Sequence, residues 1–213
     1  MTTAAYQRAL LMCGVFAGPL FVVVFLIEGA LRPDYSPVRQ PVSSLSIGSM
    51  GWTQIANFLV TGLLVLAFAL GLQQRGNGLL LPILVGLIGV GLIGAGVFTC
   101  DPFNGYPPGT PLSPVATTSG TLHSAFSSLF FFGLPIACLV AARQFTREGS
   151  GVFAGYCVAT AVAFVALFVL AALGVAQNPA FLPIVGLMQR LCLAVGFVWL
   201  TILALRKVRQ PGT

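Results

Sequence analysis

The amino-acid sequence predicts an all-α, six-helix transmembrane bundle with both termini cytoplasmic, and three observations carry that prediction. Hydrophobic residues make up 57% of the 213-residue chain and charged residues only 7%, against about 25% charged in an ordinary soluble domain. The mean hydropathy of +0.99 is concentrated in six runs, each near the length of about 20 apolar residues that a hydrocarbon core demands. Basic residues gather in alternate connections, which orients the chain. A transmembrane β-barrel would need short alternating strands, and the uninterrupted runs exclude it. These runs and their connections use up the chain, so residues 1–213 are expected to form a single transmembrane domain.

The first run, 9–31, follows Arg8. It exceeds a secretory-signal core, and "EGALRP" offers no A-x-A-like cleavage site, so it is expected to stay as a membrane helix. Gly14 and Gly18 give it a close-contact spacing. The second run, 52–72, opens on Trp52 and places Gln54 and Asn57 on one face, with Thr61 a turn below. Five glycines, Gly86, Gly89, Gly91, Gly94 and Gly96, punctuate the third run, 79–99. Small residues let backbones approach in lipid, so this helix is expected at the packed centre. The fourth run, 121–142, begins with His123 and Ser127 one turn apart. The fifth, 152–174, is almost wholly apolar, and the sixth, 184–205, carries Arg190 about 9 Å below its start at 1.5 Å per residue.

Net charge is +6, and alternation of the helices explains it without nucleic acid. Arg8, Arg75, Arg143, Arg147, Arg206, Lys207 and Arg209 fall on one side, Arg32 and Arg39 on the other. That bias predicts cytoplasmic termini, an inner-membrane location and a tail, "RKVRQ", anchored at anionic lipid head groups. Cys13, Cys138, Cys157 and Cys192 lie inside helices as small apolar residues. Only Cys100 approaches the outer surface, and no disulfide is expected.

Function, if localised, should lie on the outer face. There the connections 32–51 and 100–120 are each about twenty residues long, a length that is usually functional or disordered. Pro102, Pro107, Pro108, Pro111 and Pro114 stiffen the second of these into a semi-rigid lid. At the same level lie four ionisable groups whose sign is wrong for their own helix ends: Glu28 and Asp101 at outward carboxyl ends, His123 and Arg190 at outward amino ends. Such groups cost roughly 2.5 to 3.5 kcal/mol each inside the membrane, so they are expected to compensate one another. Arg190 should pair with Glu28 or Asp101, and Asp101 should orient His123.

Specific chemistries are weakly marked. Ser43 or Ser44 with His123 and Asp101 could be written as a catalytic set, but no nucleophile elbow accompanies it. One histidine makes no metal motif, and no phosphate-binding glycine loop is present, so neither metal nor cofactor is expected. Broken helices at Pro19 and Pro82 would suit a transporter, although no charge lies near the bilayer centre.

Three blocks, "PVSSLSIGSMGWTQIANFLVTGLL", "GVFTCDPFNGYPPGTP" and "TLHSAFSSLFFF", resemble the domain-of-unknown-function 998 family of bacterial and archaeal membrane proteins. The resemblance spans nearly the whole chain and implies six helices. It singles out Pro41, Ser43, Ser44, Gly51, Trp52, Gln54, Asn57, Asp101, Pro102, Gly105, Pro107, Pro108 and His123. Relatives often carry histidine where this chain has Gln40, a departure that weakens any two-histidine scheme.

The expectation is therefore an outer polar cavity that binds a membrane lipid or other amphipathic small molecule. Glu28, Ser43, Trp52, Gln54, Asn57, Tyr106, Ser127 and Arg190 would bind it, with Arg190 recognising an anionic group. Two alternatives stand beside this. One is a hydrolase or group-transfer enzyme on a lipid-linked substrate, with His123 as general base, Asp101 and Ser44. The other is a structural or partner-binding subunit whose polar layer only holds helices together.

Overall fold

The computed structural model describes residues 3–76, 78–113 and 115–210; Pro114 of the expected lid lies outside them. Six long helices appear: α1 (Thr3–Leu31), α2 (Gly51–Gln73), α3 (Leu80–Val97), α4 (Thr118–Arg147), α5 (Gly151–Val175) and α6 (Val185–Arg209). Among the described residues there is no strand, only the isolated bridge between Phe103 and Tyr106. Each helix is long and apolar enough to cross a bilayer. The protein is a multi-pass membrane protein.

Several helices outrun the apolar segments that announce them. α4 continues to Arg147, five residues past the expected end at 142, and stops at a glycine cap. Gly149 takes φ +73°, its N–H donates to Thr146 O, and the Ser150 N–H donates to Phe145 O. This is the Schellman pattern that satisfies the last carbonyls of a helix. It shortens the α4–α5 connection to 148–150. Pro19 leaves α1 continuous, and Pro82 sits in the first turn of α3, where a missing N–H costs nothing. The broken helices that a transporter reading needs are not formed.

The helices stand in a ring. Each packs on its sequence neighbours, and α6 closes on α1. α3 was expected at the centre; it is instead a member of the ring between α2 and α4. Its glycines serve that place: a Cβ on Gly62 would lie 2.9 Å from Gly89 O, and one on Gly89 would lie 3.0 Å from Gly62 O. Phenylalanine fills the centre instead. Phe21 of α1 stacks on Phe197 of α6 at 4.6 Å and meets Phe58 of α2 at 5.3 Å. Phe130 of α4 reaches Phe197 at 5.2 Å and Phe164 of α5 at 5.9 Å. Such pairs add about 0.5 to 1.5 kcal/mol each beyond the area they bury.

α1 and α6 run antiparallel, Gly18 against Phe197 and Gly29 against Arg190, so the amino end of α1 and the carboxyl end of α6 share one face. Of the basic tail expected to anchor at head groups there, Arg209 is exposed, while Lys207 turns inward, 1% exposed and 3.9 Å from Glu148, and Arg206 lies over the Phe153 ring at 4.3 Å. The long connections, 32–50 and the described residues of 98–117, cap the opposite face. They are stitched together by Gln40 Nε2 donating to Asn104 O at 3.3 Å and Asn104 Nδ2 donating to Arg39 O at 3.2 Å.

Candidate functional site

Beneath that cap lies a cavity of about 610 Å³, inside the 300 to 1,000 Å³ range common for small-molecule sites. Its floor is the aromatic centre, including Phe21, Phe58 and Phe130. One wall is α4; the facing wall is α5, with Phe168, Ala171, Ala172 and Val175. The roof brings Ser43, Ser44, Cys100 and Asp101 from the two capping connections, and α6 adds Gln189. Ser124, Phe132, Ala172 and Val175 line the cavity and are also exposed, so it opens sideways between α4 and α5 where a bilayer would surround the bundle. Phe131 stacked on Phe168 at 4.8 Å bridges the two helices lower down.

His123 is buried in the wall of this cavity. Its Nδ1 lies 3.0 Å from Ala95 O and 2.9 Å from Phe98 O, carbonyls at the end of α3 that have no intrahelical donor. Both neighbours are acceptors, so Nδ1 carries the proton and Nε2 is left as an acceptor in the neutral ring. Nε2 makes no hydrogen bond to any described residue.

Asp101 was expected to orient His123, and it does not. Its carboxylate accepts from Thr117 Oγ1 at 2.6 Å and from Thr117 N at 3.3 Å. Thr117 is the N-cap of α4 and accepts from Gly120 N at 3.0 Å. The aspartate therefore sits against an amino end, where negative charge is favoured. A triad of Ser44, His123 and Asp101 is not assembled: Ser44 Oγ has no hydrogen-bond partner, and backbone carbonyls orient the imidazole.

Arg190 was expected to pair with Glu28 or Asp101, and it pairs with neither. The guanidinium donates to Gln40 O at 2.9 Å, Gly186 O at 3.1 Å, Pro37 O and the Tyr35 hydroxyl. Tyr35 passes its own proton to Pro41 O at 2.9 Å. Burial pushes this phenol up to about 12 against the pull of Arg190, so it stays a neutral link. Arg190 thus holds the 35–41 turn and is absent from the cavity wall. Glu28 lies 3.7 Å from Arg32, whose guanidinium donates to Ile47 O and Met50 O.

Of the other candidates, Ser43, Ser44 and Ser127 line the cavity, and Gln54, Asn57, Trp52 and Tyr106 do not. Asn57 Nδ2 donates to Phe21 O and to Gln54 Oε1, both at 3.2 Å, and Thr61 donates to Asn57 Oδ1 at 3.4 Å. That ladder joins α2 to α1. Trp52 is 67% exposed on the bundle surface, and Tyr106 packs edge-on to Tyr35 at 5.2 Å. Ser44 is 1% exposed, and its Oγ has no partner. Gln189 fixes the roof by accepting from Val42 N at 2.7 Å.

Sequence reasoning missed the α5 wall, because alanine and valine facing a cavity read the same as alanine and valine facing lipid. It also gave Cys100 no place in the site; burial pushes that thiol up to about 11, and all five cysteines are free. Among the described residues no three His, Cys, Asp or Glu side chains gather as a metal-ligand set.

No curated protein and no solved structure matches this chain. A family model described as "Protein of unknown function (DUF998)" matches residues 15–206, a span that takes in α2 to α5, the greater part of α1 and α6, the roof of the cavity and His123. The chain belongs to the DUF998 family.

Proposed function

We propose that this membrane protein binds an amphipathic small molecule or lipid, drawn from the bilayer through the gap between α4 and α5. One observation carries the reading: a cavity of about 610 Å³ that is aromatic at its floor and polar at its roof, and that opens sideways at exposed residues. A hydrocarbon tail against Phe131 and Phe168 would gain about 25 cal/mol per Å² of buried apolar surface. Its head would meet hydroxyl, amide and imidazole groups. In this reading the capping connections face the extracytoplasmic side of an inner membrane, which agrees with the basic bias toward the opposite face.

The test is mass spectrometry of the molecules retained by gently purified protein, wild type beside Ala172→Trp. Ala172 is exposed and lines the opening, so an indole there blocks entry while the packed core is untouched. A species enriched in wild type and lost in the variant is the expected result. Identical bulk lipid in both samples would remove the reading.

A further inference from the structure

We infer that the cavity selects uncharged amphiphiles whose headgroup offers a hydroxyl or amide N–H, in the manner of a neutral glycerolipid, and discriminates against anionic ones. This rests on the reading above and adds the chemical class of the ligand. Among the described residues no lysine or arginine lines the cavity. The two cations of the capping end with buried side chains are both spent elsewhere: Arg190 on the backbone of the 35–41 turn and on Tyr35, and Arg32 on Glu28 and the carbonyls of Ile47 and Met50. An anionic headgroup would enter without a counter-charge, a costly transfer from water, and would face the Asp101 carboxylate on the same lining.

Two groups match a neutral headgroup instead. His123 Nδ1 is committed to the α3 carbonyls, so the neutral ring presents Nε2 as an acceptor that wants a donor. Ser44 Oγ is buried and unpartnered on the roof of the same cavity, and a buried hydroxyl without a partner is costly. A hydroxyl can give to the first and take from the second. Gln189 spends one lone pair of its carbonyl oxygen on Val42 N, which fixes that amide as part of the roof.

The experiment uses the full chain in nanodiscs and a photoreactive monomyristoylglycerol, with crosslinks mapped to peptides carrying Phe131 and Phe168. Unlabelled monomyristoylglycerol, myristoyl lysophosphatidate and tetradecane compete in parallel. The expected order has monomyristoylglycerol competing about tenfold or more better than lysophosphatidate. Ser44→Ala should weaken monomyristoylglycerol about 3- to 10-fold, the worth of one hydrogen bond, and leave tetradecane unchanged. Equal or better competition by lysophosphatidate overturns the inference and leaves the cavity reading standing. So does an equal loss for tetradecane in Ser44→Ala, which marks a structural serine. Labelling that avoids both peptides overturns the cavity reading itself.

Discussion

At the residue scale, Asp101 and His123 show how two side chains of the wrong sign for their own helices become favourable. Asp101 follows the carboxyl end of α3 but bonds the N-cap of α4; His123 opens α4 but donates to the last carbonyls of α3. Each is matched to its neighbour's dipole, so no pairing among the four ionisable groups is needed. Arg190 follows a different rule, since its charge is solvated by carbonyl oxygens and a hydroxyl in place of a carboxylate. Arg190→Met should therefore cost about 3 kcal/mol or more, through the carbonyls it leaves unpaired. Thermal unfolding in detergent reads this, and adding Glu28→Met should restore nothing. Recovery in the double variant would show that the two groups are partners after all.

The α3–α4 corner and the 35–41 turn depend on close backbone approach at the scale of elements. Gly186, in the first turn of α6, is the sharpest case. A Cβ there would stand 2.6 Å from Pro37 O, in the space where the turn brings its carbonyls to Arg190. Gly186→Ala should lift the turn and destabilise the protein by about 2 kcal/mol. Arg39 is exposed within that turn, so trypsin should cut after it faster in the variant than in wild type. Unchanged cleavage would mean that the turn is held without the close contact. α4 and α5, by contrast, are joined tightly at 148–150 and bridged by Phe131 and Phe168. Above that bridge they leave the cavity its side opening.

For the whole molecule, the ring explains why the helices show so little sidedness. Phe16, Leu63, Ile83 and Val162 are exposed on its outside while phenylalanines fill its inside, so both faces of a helix are apolar. Orientation then rests on charge. Fusions of a reporter that fluoresces only in the cytoplasm should be bright after Gln210, and fusions of a periplasm-active phosphatase should be active within 108–113. The reverse pattern would overturn the proposed topology and place the cavity roof on the cytoplasmic side.

What the sequence determined by itself is the number and order of the helices, because about twenty consecutive apolar residues have few other stable arrangements in a bilayer. It also marked the end of the bundle where polar residues collect, and Ser43, Ser44, Asp101, His123 and Ser127 do meet at one cavity. The tertiary structure decided which polar groups line the cavity and which hold helices and turns together. Arg190, Glu28, Gln54 and Asn57 were legible as costly residues in need of partners, yet partner choice depends on helix order around a ring and on backbone carbonyls that carry no sequence signal. The α5 wall was illegible for a simpler physical reason: a side chain that faces lipid and one that faces an apolar cavity are selected by the same hydrophobic effect, and only the packing of neighbouring helices tells them apart.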